Sequence, residues 1–254
     1  MIDIFWSLPT DLKLLIFENL TKKEQKSLCY KSSGTSFVCE KYSDLSSLGR
    51  AVKKGNLEKV SYLLKMGANI NGEYYSPNLM TSLSAAIMKS DYPMVKLLLE
   101  KGADINAKSR TYVKPWLLVD DVRIAELLLN YGADINEVDD YGNTLLFRAV
   151  EHKNLDLINF LVEKGLDINH TNNQGSTAIM KHINPSHNDV IELLLKLGLN
   201  PNIKNKDGLT ALDVSYITLD ILYLSYDISF PSLDKMSKII KLLLKYGAKR
   251  GKDL

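Results

Sequence analysis

A nine-residue phrase, Leu-Leu-x-x-Gly-Ala-Asp-Ile-Asn with variations, recurs along the chain and constrains its fold more than any other feature. It runs over Leu63–Asn71, Leu98–Asn106, Leu128–Asn136, Leu161–Asn169 and Leu194–Asn202, and in shortened form over Leu243–Lys249. Its glycines are Gly67, Gly102, Gly132, Gly165, Gly198 and Gly247, at intervals of 35, 30, 33, 33 and 49 residues. A period near 33 marks one supersecondary unit. Such a unit buries its apolar side only by stacking on copies of itself.

Aligned on the glycine, three apolar rows appear. Seven residues before it stand Val60, Val95, Ala125, Ile158, Ile191 and Ile240. Four before it stand Leu63, Leu98, Leu128, Leu161, Leu194 and Leu243, and three before it Leu64, Leu99, Leu129, Val162, Leu195 and Leu244. Spacings of three and four place these residues on one helical face. The glycine predicts the end of that helix, because the left-handed conformation after a last helical turn strains every residue with a Cβ. A second, shorter helix is predicted upstream in each unit, with Thr144, Thr177 and Thr210 as its caps and with small residues such as Ala51, Ala86 and Ala149 allowing close approach of neighbours. Asp139-Asp140-Tyr141-Gly142, Asn172-Asn173-Gln174-Gly175 and Lys206-Asp207-Gly208 are turn sequences between units. Asp104, Asp134 and Asp167 recur once per unit, which points to turn formation.

Turn, short helix, longer helix and a closing Gly-Ala-Asp-Ile-Asn resemble the ankyrin repeat over roughly residues 45–250. The resemblance implies an all-α, ankyrin-repeat solenoid of about six helix pairs with a short N-terminal helical segment, and loops projecting as fingers along one edge. The units are placed at about 45–77, 78–112, 113–140, 141–173, 174–206 and 207–250. The family's Thr-Pro-Leu-His is degenerate in every unit. The third unit is short, leaving Lys114–Val119 little more than a turn for its first helix. The sixth carries about sixteen extra residues within Ser215–Lys235, including Tyr216, Tyr223, Tyr226 and Phe230. Two readings of that insertion stand: a lengthened helix that caps the stack, or an aromatic docking surface.

Residues 1–44 fall outside the period. Leu8, Pro9, Leu12, Ile16, Leu20 and Leu28 lie at the spacings of an F-box, and the segment resembles one through Leu20. That resemblance implies docking on Skp1 and, through it, on a cullin-RING ubiquitin ligase. The other reading is a helical cap over the first repeat. F-box followed by ankyrin repeats is a combination found in giant DNA viruses and intracellular bacterial effectors.

Composition narrows the function. The 254 residues carry 32 basic and 30 acidic side chains, a net charge of +2, which is a poor match for nucleic acid. No apolar run reaches the ~18–20 residues of a membrane span, and the acidic Asp3 and Asp11 near the start do not fit a secretory signal. Two cysteines, Cys29 and Cys39, are too few for a disulfide framework. A cytoplasmic protein is expected, in the host cytoplasm for a viral or bacterial source, acting as a monomer on protein targets without membrane or nucleic-acid contact.

No catalytic signature occurs. The string Gly-x-x-x-x-Gly-Lys-Ser/Thr is missing, as are Gly-x-Ser-x-Gly and metal-binding His/Cys spacing. His182 and His187 are five apart across Pro185, off a common helical face. The chain is not expected to be an enzyme or to hold a cofactor or metal. Binding is expected on the finger tips and first helices, at Tyr74, Tyr75, Arg110, Tyr112, Asp140, Tyr141, Glu151, His152, Asn173 and Gln174. Tyrosine and arginine are enriched in interface hot spots, and Tyr74, Tyr75 and Tyr141 would form one aromatic strip.

Overall fold

The computed structural model describes residues 48–72, 80–107, 114–224 and 230–254. Among them lie eleven α-helices: α1 (Leu48–Lys53), α2 (Leu57–Lys65), α3 (Ser82–Met88), α4 (Tyr92–Glu100), α5 (Val122–Asn130), α6 (Leu145–Glu151), α7 (Leu155–Glu163), α8 (Ala178–Lys181), α9 (Asn188–Lys196), α10 (Ala211–Leu224) and α11 (Phe230–Lys245). Two 3-10 turns, Pro115–Leu118 and Gly251–Asp253, and a bridge between Thr171 and Thr177 are also present among the described residues. The helices form six pairs, the turn Pro115–Leu118 serving as first member of the third. First members pack in a continuous row from α1 to α10. Second members form a row behind them, α2 on α4, α4 on α5, α5 on α7 and α9 on α11.

The apolar rows become the core between these two layers. The residues seven and four before each glycine are all buried, from Val60 and Leu63 to Ile240 and Leu243. The third row lies at the flank: Leu99 and Leu195 are buried, while Leu244 on the last pair is 49% exposed. Ala51, Ala86 and Ala149 are buried, α1 packs on α3, and the Pro115–Leu118 turn packs on α6.

Each second helix closes in the same way. The glycine N–H bonds the carbonyl three residues back, and the next N–H reaches the leucine carbonyl five residues back, as in Gly102 to Leu99 and Ala103 to Leu98, both 3.0 Å. The six glycines have φ between 78° and 96°, and an added Cβ would meet nothing within 4 Å. Backbone conformation, and not crowding, therefore selects glycine here. The aspartate that follows two residues later turns the chain: Asp104, Asp134 and Asp167 accept the N–H two residues on at 2.8–2.9 Å. The closing asparagine reaches the next pair. Asn71 Oδ1 accepts the N–H of Asp104, Asn169 Oδ1 that of Asn200, and Asn202 Oδ1 that of Lys249, at 2.7–2.8 Å.

Threonine capping is corrected in part. Thr81 Oγ1 accepts the Ser84 N–H at 3.2 Å and Thr210 Oγ1 the Asp213 N–H at 3.4 Å. Thr144 and Thr177 make no such bond; their hydroxyls are buried without a partner among the described residues. At Thr144 the N–H that a cap would take, that of Phe147, donates to the Thr144 carbonyl instead. The sixth pair lengthens on both sides, to 14 residues in α10 and 16 in α11. It is sealed by Asp213, which accepts from the Thr210 N–H and hydroxyl, the Gly251 N–H at 2.6 Å and Arg250 Nε at 2.8 Å. Tyr216 lies beneath the Arg250 guanidinium at 5.1 Å, while Tyr223 is exposed. Tyr226, between the two helices, lies outside the described residues.

Candidate functional site

The inner face is the side built by the first member of each pair and the loops that precede it. Side-chain acceptors inside those loops hold them rigid. Asp139 Oδ1 accepts the N–H groups of Tyr141 and Asn143, Asn172 Oδ1 those of Gln174 and Ser176, and Asn205 Oδ1 those of Asp207 and Leu209, all at 2.8–3.1 Å. Neighbouring loops are tied by main-chain bonds from Asn173 N–H to the Tyr141 carbonyl (2.9 Å) and from Lys206 N–H to the Gln174 carbonyl (3.0 Å). Turns closed on an Asp or Asn side chain in this way keep finger residues in fixed positions.

At the centre of this face α6, seven residues long, stands between two four-residue elements, the turn Pro115–Leu118 and α8. Where the third pair has lost its helical turn, the chain runs extended and Asp120 fills the space. Its carboxylate takes Arg148 Nη2 at 2.6 Å and His152 Nδ1 at 2.9 Å, and its carbonyl accepts from Asn154 Nδ2 at 2.6 Å. The shortened third pair also leaves a concavity of about 270 Å³. Leu117, Leu118 and Phe147 supply its apolar wall, and Arg148, Glu151, Lys181 and His182 its polar one. His170 holds Phe147 edge-on, with ring centroids 6.4 Å apart, and bonds the Gly142 carbonyl through Nε2 at 2.8 Å.

All four histidines of the chain gather around α6. His182 and His187, which their spacing placed apart, stack at 6.4 Å with rings inclined by 29°, because the turn at Asn184–Ser186 folds the chain back. Burial pushes both imidazoles below their ordinary pKa. Glu151 opposes this at His182; at His187 the carbonyls of Glu151 and Val150 oppose it while Lys153 adds to it.

Of the expected binding residues, six are described. Tyr141 is 70% exposed, and the Lys181 ammonium lies over its ring at 5.9 Å. Asp140 accepts the Asn173 side-chain amide through its carbonyl at 3.0 Å, so Asn173 is partly committed to joining two loops. Gln174 and Glu151 are exposed, and His152 is paired with Asp120. Tyr74, Tyr75, Arg110 and Tyr112 lie outside the described residues, as do Leu8, Pro9, Leu12, Ile16, Leu20 and Leu28. Sequence reasoning missed Asp120, Phe147, Arg148 and Lys181. The signal that could have found them was the short third unit, which forces side chains to replace lost helix.

Among the described residues no cluster of His, Cys, Asp and Glu is arranged to hold a metal, and no helix is long and apolar enough to cross a membrane. No curated protein matches the chain. Solved structures do. The crystal structure of an ankyrin repeat domain from Acinetobacter baumannii AYE is similar at 28% identity and a TM-score of 0.62, covering 80% of this chain and 98% of that one. Another ankyrin repeat protein shares the fold at 24% identity and a TM-score of 0.63, with the same coverage. Family models described as ankyrin repeats match residues 12–109 and 119–172 (3 copies) and 161–215 (many copies), together well over half of the sequence. With a period near 33, paired helices and the same glycine closure in every pair, the chain belongs to the ankyrin-repeat family.

Proposed function

We propose that the protein is a binding scaffold that grips a target protein with its inner face between the third and fifth pairs. Ankyrin repeats are in general protein-interaction modules. The observation that carries the reading is the concavity beside α6, walled by charged and apolar side chains where the first row of the stack is shortest. Tyr141, Glu151 and Gln174 are the contact residues on its rim and neighbouring loops, and Tyr74, Tyr75, Arg110 and Tyr112 are further contacts proposed from residue type alone. The protein works as a monomer in the cytoplasm, of a host cell where the source is a virus or intracellular bacterium.

A photo-crosslinking amino acid at Tyr141 or Gln174, compared with one at Lys59 or Glu163 on the second-helix side, tests this. Covalent adducts to one protein from the first two positions alone are expected. Equal labelling from both sides, or none from the inner face, rejects it. Replacing Tyr74, Tyr75 and Tyr141 together with Ala is expected to weaken that capture by ~2 kcal/mol.

A second reading adds recruitment of Skp1 and a cullin-RING ligase through Leu8, Pro9, Leu12, Ile16, Leu20 and Leu28. Their spacing supports it. The ankyrin match starts at residue 12 and runs on through Ile16, Leu20 and Leu28, so the other reading, a plain ankyrin scaffold whose N-terminal helices only cap the repeats, fits equally well. Purified Skp1 decides: binding that disappears in Leu8→Ala/Pro9→Ala supports recruitment, and no binding by the unchanged chain removes it.

A further inference from the structure

Eleven residues before its glycine, each of α2, α4, α5 and α7 starts from a side-chain acceptor. Asn56, Asp91, Asp121 and Asn154 take an N–H of the first helical turn at 2.8–3.2 Å. At α9 the same place holds His187, and no side chain caps the helix. The imidazole is 5% exposed, and its Nε2 has no hydrogen-bond partner among the described residues. A charged ring there would stand at the positive end of a nine-residue helix. It would also stand among cations: His182 stacks on it at 6.4 Å, and Lys153 Nζ bonds the Ser186 carbonyl, one residue before it, at 3.3 Å.

We propose that the joint between the fourth and fifth pairs is an acid-operated latch: proton uptake by the His182–His187 pair releases residues 182–188 and the first turn of α9 from α6 while the rest of the stack stays folded. The groups around the two rings set the direction. Glu151 on α6, Asp189 on α9 and the carbonyls of Val150 and Glu151 favour a proton; His152 and Lys153 after α6, Lys181 on α8 and burial itself oppose it and prevail. On α10, which packs on α8, Asp213 is committed to Arg250 and the Gly251 N–H. α11 reaches the joint through the Lys235 carbonyl, which accepts from Asn188 Nδ2 at 3.3 Å. The opening stays local because the stretch has little core: between Lys181 and Val190 only Ile183 and His187 are buried, and α8 is a single turn of four residues. Once released, both rings take up protons at their ordinary value, so the opening constant rises as pH falls below about 6.5, by up to about tenfold per pH unit for each histidine. Lys181 and His182 line the concavity beside α6, so the latch reshapes that wall whatever the inner face binds.

Hydrogen exchange of the full chain, followed by mass spectrometry at about pH 7.5 and about pH 5 and corrected for the intrinsic exchange rate, tests the latch. Amides of residues 182–190 are expected to lose at least tenfold more protection at the lower pH than those of α4, α5 or α7. The double variant His182→Gln/His187→Asn removes both titrating rings and places at 187 the residue type that caps α2 and α7. It is expected to abolish the acid opening and to keep protection at neutral pH. An NMR titration of the unchanged chain gives a second measurement, independent of whether the variant folds: the midpoints of His182 and His187 should both lie below the ordinary 6.5. Loss of protection spread evenly over the stack, no added opening at the lower pH, opening that persists in the double variant, or a midpoint at or above 6.5 for either ring overturns the proposal.

Discussion

The two rows of helices differ in how strictly they are kept. Second members α2, α4, α5, α7 and α9 are nine residues each, and every second helix, including α11, closes on a glycine with φ between 78° and 96°. First members run six, seven, four, seven, four and fourteen residues, with a 3-10 turn in one case. The second row fixes the pitch of the stack, so a change in one helix is felt by both neighbours. The first row has one side free of neighbours, and its lengths vary without breaking the row. Where it is shortest, polar side chains take over: Asp120 links the third pair to the fourth through Arg148, His152 and Asn154. Order is concentrated in one layer and chemistry in the other.

The sharpest way to break this contrast is a matched pair of substitutions. Leu161→Ala removes a fully buried side chain from the second row and is expected to cost ~3 kcal/mol in urea unfolding. Tyr141→Ala, on the inner rim, should cost less than ~0.5 kcal/mol. Equal losses would erase the distinction. Next in size is Asp213→Ala, expected to cost ~2 kcal/mol, because the N–H groups of Thr210 and Gly251 lose their charged acceptor in a buried setting. Gly251→Ala should loosen the same seal, since its Cβ would collide with the Gly208 carbonyl oxygen. Faster amide exchange confined to the sixth pair would identify the seal as local. Gly165→Ala is smaller still, ~1 kcal/mol, and purely conformational: φ is 91° and nothing lies within 4 Å of the new methyl. A neutral result in chemical denaturation would mean the helix end adjusts freely.

The second row was legible in the sequence because its whole logic fits inside one period. Ile158 and Leu161 mark the helix face, Gly165 the helix end and Asp167 the turn, each acting within a few residues of itself. The inner site was not legible for the opposite reason. Arg148 meets Asp120 across 28 residues and His152 meets it across 32, contacts that exist only once the pairs have stacked. The asparagines closing each phrase were legible as turn residues but not as ties to the next pair, which Asn71, Asn169 and Asn202 make across 31 to 47 residues. His182 and His187 misled for a local reason. Helical spacing does not apply to them, because the turn between them is built by Asn184 and Ser186.

The gentlest probe of the contrast is pH, because the two regions titrate in different windows. Burial lowers the pKa of His182 and His187 below the ordinary 6.5, so the folded chain resists a proton that the unfolded chain accepts. Stability is therefore full above about 6.5 and declines as pH falls through and below that value, by at most about 1.4 kcal/mol per pH unit for each histidine. At Asp213 burial opposes ionisation, but the hydrogen bonds from Arg250, Gly251 and Thr210 outweigh it and hold the carboxyl well below the usual 3.8. That contribution stays in place until pH drops under about 4, where the unfolded chain begins to bind the proton first. Acidification should thus weaken the α6–α8 joint before the C-terminal seal. Thermal midpoints measured from about pH 7.5 to about pH 3 for the unchanged chain, His182→Gln/His187→Gln and Asp213→Asn separate the two: the histidine variant should flatten the slope between about pH 6.5 and 5, and the aspartate variant the one below about 4. A histidine variant that keeps the upper slope would move that pH dependence away from the inner face, and with it the idea that the irregular row is the responsive one.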